Sequence, residues 1–232
     1  MNRTLLGAAV LLAASIGHAA DYPQPIEALR GKGVEIIEQF DTGSALKGYA
    51  AQYHGMALAV YLTPDEKHAI VGGTLVDASG EDMISKVLDE KVNLPQSEKL
   101  WQMLEQKSHW ISEGNPQAAT KVYVFTDANC PYCKRLWQDI QPWVKSGKAE
   151  IRHIPVGVLG ESSWKKAAYI LAAKDPLKAL IANESGQQEA KEIEIAARQE
   201  QQLEDNLALM QSLGASGTPA IFFRDEKGLL QL

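Results

Sequence analysis

Short apolar runs separated by turn chemistry fill the first third of the chain. Val34–Phe40, Gly48–Tyr53 and Met56–Leu62 are rich in β-branched and aromatic residues, and Asp41-Thr42-Gly43, His54-Gly55 and Thr63-Pro64-Asp65 punctuate them. Ile70–Val76 predicts one more strand. The result is a small, mostly antiparallel sheet, too small to hold much core alone, which therefore buries its apolar face against a partner. From Glu81 to about Gln106 the period becomes helical, with Leu100, Met103 and Leu104 on one side and a break predicted near Asn93-Leu94-Pro95. Residues 108–120, with Gly114-Asn115-Pro116, predict a loop.

From Lys121 strands and helices alternate. Val122–Thr126 predicts a strand and Cys130–Lys145 a helix, its buried face carried by Leu136, Trp137, Ile140, Trp143 and Val144. Pro142 should kink that helix and Gly147 end it. A strand over Glu150–Val156 follows, then a helix over Glu161–Lys174 with Ser162 or Ser163 as cap and Asp175-Pro176 as stop. Leu177 to about Leu213 predicts polar helix with a weak stretch at Glu184–Gln187. Ala220–Phe223 predicts a strand after Thr218-Pro219, and Asp225–Gly228 turns the chain into Leu229–Leu232. The fold class is α+β. The expected division is an export signal over 1–19, an N-terminal sheet domain over 20–80, a helical linker over 81–120 and a second domain over 121–232.

Arg3, the apolar stretch Leu5–Ile16, and the small residues Gly17 and Ala19 have the form of a signal peptide cleaved after Ala19. The mature protein is expected outside the cytoplasm. A net charge of −6 offers no electrostatic footprint for nucleic acid.

In an oxidising compartment cysteines usually form structural bridges. This chain has two cysteines, both in Cys130-Pro131-Tyr132-Cys133. A bridge closing so small a loop is worth only about 2 kcal/mol, against about 3 for a fifteen-residue loop, so reactivity is the better explanation. Cys130 would head a helix, where unpaired N–H groups and the dipole favour a thiolate, the attacking species in disulfide exchange. Pro131 suits the first helical position. Cys133, one turn on, can resolve a mixed disulfide. Lys134 and Arg135 add positive potential but are expected to be mostly solvated. A zinc site would need about four ligands, and His109 and His153 would complete one only by coincidence of the fold; no metal and no cofactor are expected. A second signal is Gly217-Thr218-Pro219-Ala220 before a strand. Paired with an upstream Cys-x-x-Cys, it predicts a cis Thr218–Pro219 bond. That would leave Thr218 backbone groups free for an extended substrate, and its hydroxyl near the thiolate.

Phe125–Cys133 and Gly217–Ala220 together resemble the periplasmic thiol:disulfide interchange proteins of the DsbC/DsbG family. The Pro131-Tyr132 dipeptide, Lys47-Gly48-Tyr49, Tyr61–Asp65 and Ser108-His109-Trp110 lean toward its DsbG branch. The resemblance implies a V-shaped homodimer paired through the N-terminal sheet, and a C-terminal thioredoxin fold with a helical insertion before the cis-proline. It implies isomerase and reductase activity on protein disulfides, rescue of sulfenylated cysteines in the periplasm, and upkeep by the membrane reductase DsbD. By the same resemblance Cys130 is the nucleophile, Cys133 resolves, and Pro131, Tyr132, Thr218 and Pro219 shape the site and bind substrate. Family members continue into a further strand and a C-terminal helix, so this chain, ending at Leu232, is expected to be truncated. Two other functions compete: a dimeric holdase chaperone using aromatics such as Tyr49, Tyr53 and Tyr61, and a net oxidant, which depends on redox poise.

Overall fold

The computed structural model describes residues 22–232. The export-signal segment, residues 1–19, lies outside them. The described chain forms two compact units that meet in sequence at Asp82 and Met83.

The first unit opens with a helix not expected from the sequence, α1 (Gln24–Arg30). Tyr22-Pro23-Gln24-Pro25 looks like a linker. Yet Pro25 falls in the first turn, where a missing N–H costs nothing, and Glu27 and Arg30 pair at 2.7 Å one turn apart. Strands β1 (Glu35–Asp41), β2 (Lys47–Tyr53), β3 (Met56–Leu62) and β4 (Ala69–Val71) form an antiparallel sheet in that order. The β2–β3 turn is His54-Gly55, both at positive φ (50° and 77°), the two-residue turn whose twist suits a hairpin. Opposite Phe40 on β1 sits Gly48 on β2; a Cβ there would lie 2.4 Å from the Phe40 ring. Ile26 of α1 joins Val34, Tyr49, Ala51, Val60 and Leu62 in the core. The chain's own α1 thus covers a face that the sequence pattern assigned to a partner. The strand predicted over Ile70–Val76 shortens to β4, and Val76 makes an isolated bridge to Asp82. Ile70 and Val71 on this edge are about half exposed.

In the second unit, α2 (Ser85–Leu88) runs through a π-helical turn at Asp89–Asn93 into α3 (Leu94–Lys107). The helix is widened near Pro95, not broken as expected. Leu94 N–H reaches back five residues to Asp89 O, and the wider turn relieves the clash a proline makes with the carbonyl four residues before it. The remaining elements are β5 (Ile111–Gly114), β6 (Thr120–Asp127), α4 (Pro131–Lys145), β7 (Ala149–Val156), α5 (Glu161–Ala172), α6 (Pro176–Glu184), α7 (Ala197–Ser212), β8 (Ala220–Arg224) and β9 (Leu230–Gln231). The sheet order is β5-β7-β6-β8-β9, with β6 and β7 parallel and the other pairs antiparallel. This is the α+β arrangement expected, with helices inserted before the last hairpin.

Every residue of β7 is buried, as befits a strand flanked by neighbours and covered on its faces. Trp101 and Leu104 of α3 pack with Tyr123, Phe125, Ile154, Met210 and Phe222. β5 occupies part of the predicted 108–120 loop; four residues pairing with an edge carry too little pattern to be seen in sequence. Helix α4 ends as expected at Gly147 (φ 70°): Gly147 N–H bonds Val144 O and Lys148 N–H bonds Trp143 O, each at 3.0 Å. Trp143, however, is 55% exposed and does not join the buried face. The cap of α5 is Gly160, not Ser162 or Ser163. The predicted long helix from Leu177 is interrupted over residues 185–196, a wider gap than expected.

Candidate active site

Strand β6 ends at Asp127, and three residues later Cys130 caps α4 in an extended conformation (φ −75°, ψ 117°). Pro131 occupies the first position of the helix, and Pro142 lies inside it, near its end. Both cysteines are free thiols, each 3% exposed. Pro131 and Tyr132 face outward, Tyr132 at 70% exposure. The Thr218–Pro219 bond is cis, as expected.

The fold brings Thr218 to Cys130, but not through its hydroxyl. The Cys130 thiol donates to the Thr218 carbonyl at 3.3 Å. The Thr218 Oγ1 is buried without a hydrogen-bond partner. The expectation that the hydroxyl tunes the sulfur is therefore replaced by a carbonyl contact, because the bend just before β8 presents the Thr218 C=O toward the start of α4.

Cys133 lies one turn into α4. Burial pushes its thiol up to about 12; bonds from the Asp127 backbone and the Thr126 hydroxyl oppose this, and the neighbouring Cys130 adds to the rise. At neutral pH Cys133 holds its proton.

The residues just before Cys130 are braced by side chains from the inserted helices and their approach. Asp127, fully buried, accepts Asn129 N–H at 2.9 Å and Leu159 N–H at 3.0 Å. Ala128 O accepts from Asn183 Nδ2 at 2.9 Å, and Asn183 Oδ1 takes Ala190 N–H at 3.0 Å. Asn129 Nδ2 reaches Ser163 Oγ at 3.0 Å, and its Oδ1 accepts from Lys166 Nζ at 2.8 Å. Lys166 in turn pairs with Glu189. From the sequence, Ser163 is expected only as a helix cap and Asp127 to Asn129 only as part of the Phe125–Cys133 motif, and none of these residues is expected in this bracing role. A lone polar residue in a helix carries no signal, although an aspartate closing an apolar strand, as Asp127 does, is a weak one.

On its other side α4 is tied to β5. Glu113, buried, accepts Trp137 Nε1 at 3.0 Å, Gln141 Nε2 at 3.0 Å and His153 Nε2 at 2.8 Å. Burial alone would raise its carboxyl; the bonds from His153, Gln141 and Trp137 outweigh that and hold it below the usual range. His153 is therefore a buried pairing residue, and His109 pairs with Asp205 at 3.0 Å. Arg135 is solvated as expected, but Lys134 is half-buried, within electrostatic reach of Glu184. Of the aromatics offered for a holdase, Tyr49 and Tyr61 are buried in the first sheet and only Tyr53 is substantially exposed.

Together these features place one thiol at a helix start beside a carbonyl, a second thiol behind it held protonated, and a rigid loop before both. Such an arrangement can form and break a disulfide.

Residues 111–232 match the family of thioredoxin-like domains. The thiol:disulfide interchange protein DsbG of Pseudomonas aeruginosa is 42% identical over 229 residues, which is 97% of this chain and 89% of that protein. DsbG of Escherichia coli K12 is 39% identical over 220 residues, 94% of this chain and 88% of the relative. DsbC of the same organism is 29% identical over 170 residues, 70% of this chain and 63% of the relative.

Proposed function

The chain belongs to the DsbG family of thiol:disulfide interchange proteins, and from that premise we propose that Cys130 is its nucleophile and Cys133 its resolving thiol. The protein is a thiol–disulfide oxidoreductase acting on protein disulfides. The observation that carries the division of labour is the contrast between the two sulfurs: Cys130 caps α4, while burial keeps Cys133 protonated until it is needed.

The Cys130 thiolate attacks one sulfur of a substrate disulfide, forming a mixed disulfide and releasing the other sulfur as a thiolate. In isomerisation a substrate thiolate later attacks the mixed disulfide and frees Cys130. In reduction Cys133 loses its proton and attacks the Cys130 sulfur, releasing reduced substrate and leaving the Cys130–Cys133 disulfide. On a sulfenic acid the first attack forms the same mixed disulfide and the oxygen leaves as water. Pro131, Tyr132, Thr218 and Pro219 frame the sulfur: Tyr132 offers an exposed ring beside it, and a substrate strand running along Thr218–Pro219 would compete with Cys130 for the Thr218 carbonyl.

We place the protein in the periplasm after removal of residues 1–19, with its domains divided at about 80 and 120, as a homodimer joined through the sheet domain and returned to the dithiol form by the membrane reductase DsbD. The apolar side chains Ile37, Met56, Ile70 and Val71, each at least 39% exposed on the first unit, support pairing there. Holdase activity is the alternative, favoured only by this same exposure.

The test uses two variants. Cys133→Ala should accumulate mixed disulfides with protein substrates, and Cys130→Ser should form none and lose insulin reduction. Insulin reduction surviving in Cys130→Ser would overturn the assignment.

A further inference from the structure

Glu184 closes α6 and is 2% exposed. Its Oε2 is buried with no hydrogen-bond partner. Its Oε1 lies 3.4 Å from Asn183 Nδ2, an amide already engaged at 2.9 Å with the carbonyl of Ala128, two residues before Cys130. A neutral carboxylic acid tolerates that environment. A carboxylate does not, because two buried anionic oxygens demand donors. The groups that offset its burial are the Asn183 amide and, through its charge alone, Lys134 of α4, which follows Cys133 in sequence.

We propose that Glu184 is a positioning residue whose proton is linked to the oxidation state of the Cys130–Cys133 pair, acting through Asn183 and Lys134 on the start of α4. The inference rests on the redox assignment above and deepens it.

The charged groups around Glu184 come from each element packed on α6. Lys134 lies on α4, Glu113 on β5 and Asp127 at the end of β6, and Lys166 of α5 is taken by Asn129 and Glu189. Burial pushes the Glu184 carboxyl up to about 7; Asn183 and Lys134 oppose the rise, and Asp127 and Glu113 add to it. Its ionisation therefore falls at ordinary working pH. When it ionises, it draws the Asn183 amide from Ala128 O and the Lys134 charge away from Cys130. Linkage is reciprocal. A thiolate at Cys130 adds negative charge to the site and favours the protonated acid, and disulfide formation removes that charge. Oxidation passes two electrons from the cysteine pair to the substrate disulfide, whose sulfurs leave as thiolates. Cys133 gives up its proton, and Glu184 releases part of its own alongside.

The experiment equilibrates the full chain with reduced and oxidised glutathione from about pH 5.5 to about pH 8.5, on either side of the carboxyl, and counts free thiols by alkylation. The constant for forming the Cys130–Cys133 disulfide should rise more steeply with pH near neutrality in the unmodified chain than in Glu184→Gln. The gap across the range should be about fivefold, the lower end of coupling between sites. Superimposable curves would overturn the inference. The infrared difference spectrum between oxidised and reduced unmodified protein at neutral pH needs no variant; it should contain a protonated-carboxyl band, and its absence would equally overturn the inference. A chain that exchanges no disulfide with glutathione removes the redox assignment and this inference with it, whereas exchange with parallel curves removes only the inference.

Discussion

The sheet of the first unit and the sheet of the second use mostly antiparallel pairing, but they leave very different surfaces behind. In the second, the interior strand β7 is buried along its whole length, and its polar His153 is matched by Glu113 of β5. In the first, one helix of seven residues covers the core, and Ile70, Val71 and Met56 remain open to water. The second unit buries its core strands and leaves polar atoms such as Glu184 Oε2 and Thr218 Oγ1 inside without partners. The first leaves apolar side chains in water, a surface that association would cover.

That contrast can be broken most decisively at the edge strand. Ile70→Glu combined with Val71→Glu should weaken self-association by about 3 kcal/mol, roughly 100-fold in dissociation constant, as read by light scattering. Insulin reduction at Cys130 should persist while refolding of scrambled substrates is lost. An unmodified chain that is already monomeric would refute the pairing.

In the second unit the cost of chemistry shows as pH dependence. Glu184 has its carboxyl at about 7 when folded, against its ordinary 4.5. A raised acid contributes its full stability below its unfolded value and loses it as pH rises through the folded one. The unmodified chain should therefore lose about 2–3 kcal/mol between pH ~4.5 and ~7.5 from this group alone. Glu184→Gln stays neutral and should unfold at higher urea at pH ~8, with no advantage at pH ~4. Equal midpoints at both pH values would show that the buried oxygen is hydrated or paired.

The smallest expected effect is at Thr218. Because its Oγ1 is buried without a partner, Thr218→Val should leave stability unchanged or raise it by up to about 1 kcal/mol. A loss larger than that, in a urea melt, would mean the hydroxyl has a partner after all.

The strands and the Cys130-headed helix were legible because their signals are local: turn residues at His54-Gly55 and Asp225–Gly228, a proline at the first position of α4, a glycine at its end. Trp143 shows the limit of periodicity, which identifies a helix face without saying how far a neighbouring element covers it. Pro95 predicts a break because a proline's missing donor is visible in sequence and a compensating π turn is not. The braces at Asn129, Lys166, Asn183 and Glu184 were invisible for another reason. Each depends on a contact between residues far apart in the chain, and residue type alone does not say which polar side chain will be buried.

Those braces also set an order in time. The loop before Cys130 is held by Ser163, Lys166 and Asn183, between 34 and 55 residues downstream of their contacts. A chain synthesised from its N-terminus presents Cys130 before any of these partners exists. The scaffold around the sulfur is therefore incomplete until Asn183 has been made, and a nascent chain shorter than that carries a thiol whose local geometry has not yet been imposed.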